Sequence, residues 1–225
     1  MPTPPNSRRQ LCAICGAAAA TTDDHVPPKN LFPKPRPNDL ITVPACLRCN
    51  NVGSKHDEEF RVFVSIQLGM ESDTTTKLWK NGALRSIHHN NRLRNHLINN
   101  SWEVDVKTPA GISLGTRRAV AVPMRSHNAV CDRIARGLYF HHYTEILGSR
   151  VSCRVAPLES IPSEMAPILG QMSFNSIARG AFCYRYGRAA ESPLDSIWLL
   201  LFYEKYPVLV ETRLRSRSKP QKSGI

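Results

Sequence analysis

Cys12-Ala-Ile-Cys15-Gly and Cys46-Leu-Arg-Cys49-Asn50 are two C-x-x-C pairs separated by 30 residues. Between them lie Thr22-Asp23-Asp24-His25-Val26-Pro27 and Asn38-Asp39-Leu40-Ile41-Thr42-Val43-Pro44. Each C-x-x-C turn presents two sulfurs on one side, and two such turns complete a tetrahedron of thiolates, the ligand set of zinc. A site filled by four cysteines has no open position, so the expected ion is structural Zn²⁺. A segment of about 60 residues builds only a small core, and a bound metal offsets that deficit.

The residues around the pairs predict an order of elements. Asp24-His25 falls in a short strand that Pro27-Pro28 ends, since proline cannot continue a strand ladder. Leu40–Pro44 is a second apolar strand, and the loop before it is rich in proline and in cations (Lys29, Lys34, Arg36). From Asn50 to Leu68 the spacing of Phe60, Phe63, Val64 and Leu68 predicts a helix. The unit reads knuckle, strand, loop, strand, knuckle, helix, and a zinc clamping the hairpin to the helix start brings Asp24, His25 and Asn50 together.

Over about residues 11–66 this pattern resembles the HNH endonuclease family. Its signature is a paired-cysteine clamp around Asp-His-(Ile/Val)-x-Pro, an Asn-Leu or similar dipeptide opening the second strand, and C-x-x-C followed by Asn or His. The matching residues are Asp24-His25-Val26-Pro27-Pro28, Asn38-Asp39-Leu40 and Cys46-x-x-Cys49-Asn50. The resemblance implies a ββα-metal finger, His25 as general base, Asp24 and Asn50 as ligands of one catalytic divalent ion, and Asn38 as the residue that holds the loop and orients the histidine. It also implies products with a 5′-phosphate and a 3′-hydroxyl, and Cys12, Cys15, Cys46 and Cys49 as the zinc set. Two departures stand out. Asp39 intervenes between Asn38 and Leu40, so Asp39 competes for the middle position. The last position is Asn50 rather than His, which leaves Asn51 and His56 as competitors for the third metal ligand.

These residue types suit phosphodiester hydrolysis. A hard cation held by a carboxylate and an amide oxygen neutralises the scissile phosphate and the developing alkoxide, and such ligands favour Mg²⁺ or Mn²⁺. A histidine with a pKa of about 6.5 takes a proton from water at neutral pH.

Composition agrees with a nucleic-acid partner. Lys plus Arg number 30 against 18 Asp plus Glu, a formal charge of +12, and such a surplus favours a polyanion. Of these, 22 cations and 12 acids lie beyond residue 69. Within the finger, Lys29, Lys34, Arg36, Arg48 and Lys55 are the expected nucleic-acid contacts, DNA being the family's commoner substrate. The longest apolar run, Ile197–Tyr203, is far short of the roughly 20 residues of a membrane span. Met1-Pro-Thr-Pro-Pro-Asn is no export signal. The expectation is a cytoplasmic protein without a membrane partner, and homo-oligomerisation is left open.

The remaining chain predicts an α+β protein overall. Residues 1–10 read as a disordered N-terminus, 11–69 as the nuclease module, 77–212 as an α+β region of unknown role, and 213–225 as a basic tail. Residues 70–76 read as a joint. Helix is expected within 77–100 and over 127–147, strands at Trp102–Val106, Ile112–Pro123 and Val151–Val155, and a closing hairpin from Ser196–Phe202 and Val208–Thr212. Arg117, Arg118, Arg133, Arg136, Arg179, Arg185 and Arg188 are candidate phosphate contacts. Cys131, Cys153 and Cys183 read as buried apolar residues, and His141-His142 as a helix face among aromatics. Two other functions fit the same motifs: a zinc-stabilised nucleic-acid-binding protein without turnover, and a ligand- or partner-regulated defence or toxin effector.

Overall fold

Thr22–His25 (β1) pairs antiparallel with Thr42–Ala45 (β2), with Asp24 opposite Val43 and His25 opposite Thr42. The structure is a computed structural model that describes residues 10–67 and 73–215. Residues 1–9 of the expected disordered N-terminus, Leu68 at the end of the expected helix, residues 70–72 of the expected joint and residues 216–225 of the basic tail therefore lie outside the described residues. Pro27 and Pro28 end β1, and one 3-10 turn, Lys29–Leu31, follows. After β2 the chain turns into α1, Leu47–Ile66. The helix begins three residues before the predicted start because Cys46 caps it, its sulfur accepting the Cys49 backbone N–H at 3.5 Å. Gly53, Asp57, Phe60 and Val64 recur at helical spacing on its buried face.

A helical stretch of α2 (Asp73–Leu78), a π-helical turn (Trp79–Ala83) and α3 (Leu84–His89) leads to α4 (Asn91–Asn99). Asn90 caps α4 through the Leu93 N–H and also donates to Glu58, which ties this layer to α1. Ala83 and Leu93 pack on Val62 in a small core of their own. Ser101–Lys107 (β3) and Ser113–Val120 (β4) form a separate, largely exposed hairpin.

The second long helix, α5 (Met124–Tyr143), starts earlier and stops sooner than the predicted 127–147. It stops because Thr144 takes a left-handed conformation, φ 57°. Behind α5 stands a five-stranded antiparallel sheet: β5 (Val151–Pro157), β6 (Ser173–Ile177), β7 (Phe182–Arg188), β8 (Ser196–Phe202) and β9 (Tyr206–Leu214), in the order β5-β9-β8-β7-β6. The hairpin of β8 and β9 matches the expected pair. A short helix α6 (Ala166–Gln171) covers the other side of β8, where Leu169 and Met172 meet Leu199.

The protein is α+β, and α5 is its hinge of packing. One contiguous core runs from Cys12 and Val26 through Phe60, Ile134 and Leu138 to Trp198 and Val210. Helix α5 meets the chain just after β1 closely at Gly137, where a Cβ would stand 2.4 Å from Val26 Cγ1. Glycine there lets the helix backbone meet the end of β1. Among the described residues, no helix is long and apolar enough to cross a membrane.

Candidate functional site

The two C-x-x-C turns meet. Ligand atoms of Cys12, Cys15, Cys46 and Cys49 all lie within 4.8 Å of one another. Tetrahedral zinc with Zn–S bonds of about 2.3 Å needs sulfurs about 3.8 Å apart, so the cluster fits a metal ion. Burial pushes the Cys12 and Cys49 thiols up. At Cys15 burial also raises the thiol, but the Ala17 and Ala18 backbone groups and neighbouring thiols outweigh it and bring it down to about 7. Among the described residues this is the sole close group of three or more His, Cys, Asp or Glu donors.

Next to this cluster is a cleft of about 200 Å³ whose wall includes Asp24, His25, Lys29, Asn30, Asn50 and Asp57. The hairpin delivers Asp24 and His25, the short turn delivers Lys29 and Asn30, and α1 delivers Asn50 and Asp57. Asn50 follows Cys49 directly, so the cap at Cys46 fixes its position. Its amide nitrogen donates to Thr22 Oγ1 and to the Asp23 carbonyl, both at 3.3 Å, so β1 anchors the side chain and leaves Oδ1 as its acceptor.

Asp24 is 7% exposed. Its Oδ1 accepts the His25 backbone N–H at 2.9 Å. Its Oδ2 is buried with no hydrogen-bond partner among the described residues and faces Arg133 Nε at 3.3 Å, a charge contact without hydrogen-bond alignment. The same guanidinium bonds Asp57 through Nη2. Burial pushes both carboxyls up, Asp57 to about 6, and Arg133 opposes the rise at each. Arg133 is itself 5% exposed, so one buried cation from α5 bridges two buried acids, one on β1 and one on α1. The imidazole of His25 is half-buried. Burial and then Lys29 push its pKa down, against the opposing charge of Asp24.

Not all the expected residues converge. Asn38 is exposed in the loop and is absent from the cleft wall. Asp39 instead accepts the Ala178 backbone N–H at 2.9 Å, tying the loop to the sheet. Asn51 is exposed. His56 points elsewhere, with Nδ1 2.9 Å from Ser126 Oγ, whose hydroxyl donates to Glu59. Of the cations expected at nucleic acid, Lys29 lines the cleft, Lys34 and Arg36 line a neighbouring cavity, and Arg48 and Lys55 are exposed on α1.

Several arginines expected at phosphates serve the fold. Arg136 holds Asp132 and the carbonyls of Gly148 and Val151. Arg185 donates to the Leu169 carbonyl at 2.8 Å, and Arg188 pairs with Glu145 over the Tyr143 ring. Cys131 is fully buried, whereas Cys153 and Cys183 are only half-buried. Sequence reasoning passed over Asn30 and the acid Asp57 as cleft residues and misread Arg133. The available signal was a charged residue set among Val130, Ile134, Gly137 and Leu138 on the buried stripe of α5.

The chain matches no family model, no curated protein and no solved structure.

Proposed function

We propose that the protein is a metal-dependent endonuclease of the HNH type that hydrolyses phosphodiester bonds of DNA. The observation that carries this reading is the convergence of His25, Asp24 and Asn50 on one cleft, on a hairpin and helix joined through four clustered cysteines.

Structural zinc would be held by Cys12, Cys15, Cys46 and Cys49. A divalent ion, Mg²⁺ or Mn²⁺, would be held by Asp24 and the Asn50 side-chain oxygen, a hard oxygen set with room for phosphate and water. When bound it supplies charge to neutralise the phosphate oxygens and the leaving alkoxide. The chain's own residues do the rest. His25, kept neutral by burial and by Lys29, accepts the proton of the attacking water. Arg133 holds the Asp24 carboxylate in place and keeps it ionised against the cost of burial. Lys29, exposed at the cleft, attracts the strand.

A plasmid-nicking assay with Mg²⁺ or Mn²⁺ tests the proposal. Cleavage that stops with EDTA and is lost in His25→Ala supports it. One observation favours a second reading, a nucleic-acid-binding protein without turnover: Arg133 already neutralises Asp24 without any added cation. Under that reading a gel shift persists and no metal yields cut product.

A further inference from the structure

A second cavity, of about 280 Å³, shares Asn30 with the cleft. Its wall carries Lys34, Arg36, Arg61 and Arg85, and no carboxylate lines it among the described residues. Phe32 and Leu78 form the apolar side and are almost fully buried.

Two of its guanidiniums are bound incompletely. Arg36 Nη1 and Arg61 Nε are buried with no hydrogen-bond partner among the described residues. Arg61 is fixed by its other end, where Nη2 donates to Ser86 Oγ and to the Gly82 carbonyl at 3.5 Å. Burial pushes the Arg61 guanidinium down, and the charge of Arg36 adds to this against the opposing charge of Glu58. A buried N–H left bare is destabilising, and two like charges turned to one cavity add repulsion. An anion in the cavity removes both costs. Guanidiniums bind tetrahedral oxyanions through several charge-assisted hydrogen bonds at once. A cavity this size admits a phosphoryl group with part of its ester.

We propose that this cavity is a phosphate site, and that it takes a phosphoryl group of the strand lying in the neighbouring cleft. The phosphate site stands on its own geometry; its use by a nucleic-acid strand rests on the nuclease reading. The cavity adjoins the cleft through Asn30, so a strand whose scissile bond faces His25 would place another of its phosphates here.

The test uses the full chain and inorganic phosphate as the probe. Phosphate should raise the melting temperature above chloride of matched ionic strength, and Arg36→Gln should weaken its binding about tenfold or more. Arg85→Gln, at an exposed wall position, gives the same readout if Arg36→Gln does not fold. Protection equal to chloride, or undiminished in both variants, overturns the site. A second arm measures binding of a duplex and of single strands with and without a 5′-phosphate to the His25→Ala protein. A loss with Arg36→Gln for every oligonucleotide assigns the site to an internal phosphate, and a loss confined to the 5′-phosphorylated strand assigns it to a terminus. If oligonucleotide binding does not change, the strand assignment is overturned and the site is one for free phosphate. A protein that binds phosphate through Arg36 yet cuts nothing contradicts the nuclease reading alone.

Discussion

Arg133 runs across the bare backbone of Gly53, so close that a Cβ on Gly53 would stand 1.5 Å from Nη1. This crossing lets a guanidinium from α5 reach past α1 to Asp24 while also binding Asp57. The helix gives up the propensity of alanine at this position and gains a passage for a buried cation. In an ordinary helix interior Gly→Ala stabilises by about 1 kcal/mol. Here Gly53→Ala should instead destabilise, by about 1–3 kcal/mol, because the guanidinium must leave its place between two buried acids. Urea denaturation measures the sign directly, and a stabilised variant would contradict the packing described.

The cleft geometry separates two asparagines that a sequence motif cannot rank. Asn30 lines the wall and its Oδ1 is buried with no hydrogen-bond partner among the described residues, whereas Asn38 is exposed. Asn30→Ala should lower cleavage about tenfold or more, the scale of a misplaced catalytic group, while Asn38→Ala should stay close to wild type. Initial nicking rates decide this, and the reverse ranking would assign the orienting role to Asn38.

Zinc should be present at one ion per chain. Cys46 both offers a ligand sulfur and caps α1, so Cys46→Ser should release the metal and lower stability by several kcal/mol. Metal analysis of the purified protein, with melting curves before and after chelation, checks both outcomes. Full zinc content and an unchanged melting temperature in Cys46→Ser would remove the clamp from the account.

Acid should weaken the fold partly through His142. Its ring stacks on Tyr186 at 4.0 Å and meets the Tyr184 hydroxyl at 2.9 Å. Burial, and then His141, push its pKa down to about 4. The unfolded chain protonates this ring near pH 6.5. Between about 4 and 6.5 the unfolded state therefore binds more protons, so stability falls as pH drops through that window and falls no further from this group below it. The ring is only half-buried, so screening reduces the contribution to about 1–2 kcal/mol. His142→Phe should flatten the melting-temperature profile over this range relative to wild type. Parallel profiles would place the pH sensitivity in other residues.

What could be read from the sequence was local. Cysteine spacing of two and the proline stop after His25 are short-range constraints, and they gave the order of hairpin and helix. Alternation of apolar and polar residues gave β3, and two apolar runs on either side of Glu204-Lys205-Tyr206-Pro207 gave the hairpin of β8 and β9. β7 was missed although Phe182, Tyr184 and Tyr186 alternate, since Arg185 and Arg188 in the same run read as phosphate contacts. Its neighbour β6 is short and mostly exposed, and α6 has a single buried residue, Leu169. The least legible part of the candidate site was Arg133. It lies 76 residues from Asp57, and no local pattern says that α5 will cross α1 at a glycine. Tertiary packing decides such contacts, and a cation on an apolar stripe is their only trace in the chain.

The central claim is that His25 activates water beside an ion held by Asp24 and Asn50. The most direct measurement is cleavage of supercoiled plasmid by wild type and His25→Ala, with Mg²⁺ or Mn²⁺ and with EDTA, each protein matched for zinc content and melting temperature. The expected result is metal-dependent nicking by wild type that falls about 10²–10⁴-fold in the variant while DNA retention in a gel shift is unchanged. Equal cleavage by both proteins, or none by wild type with either ion, would contradict it.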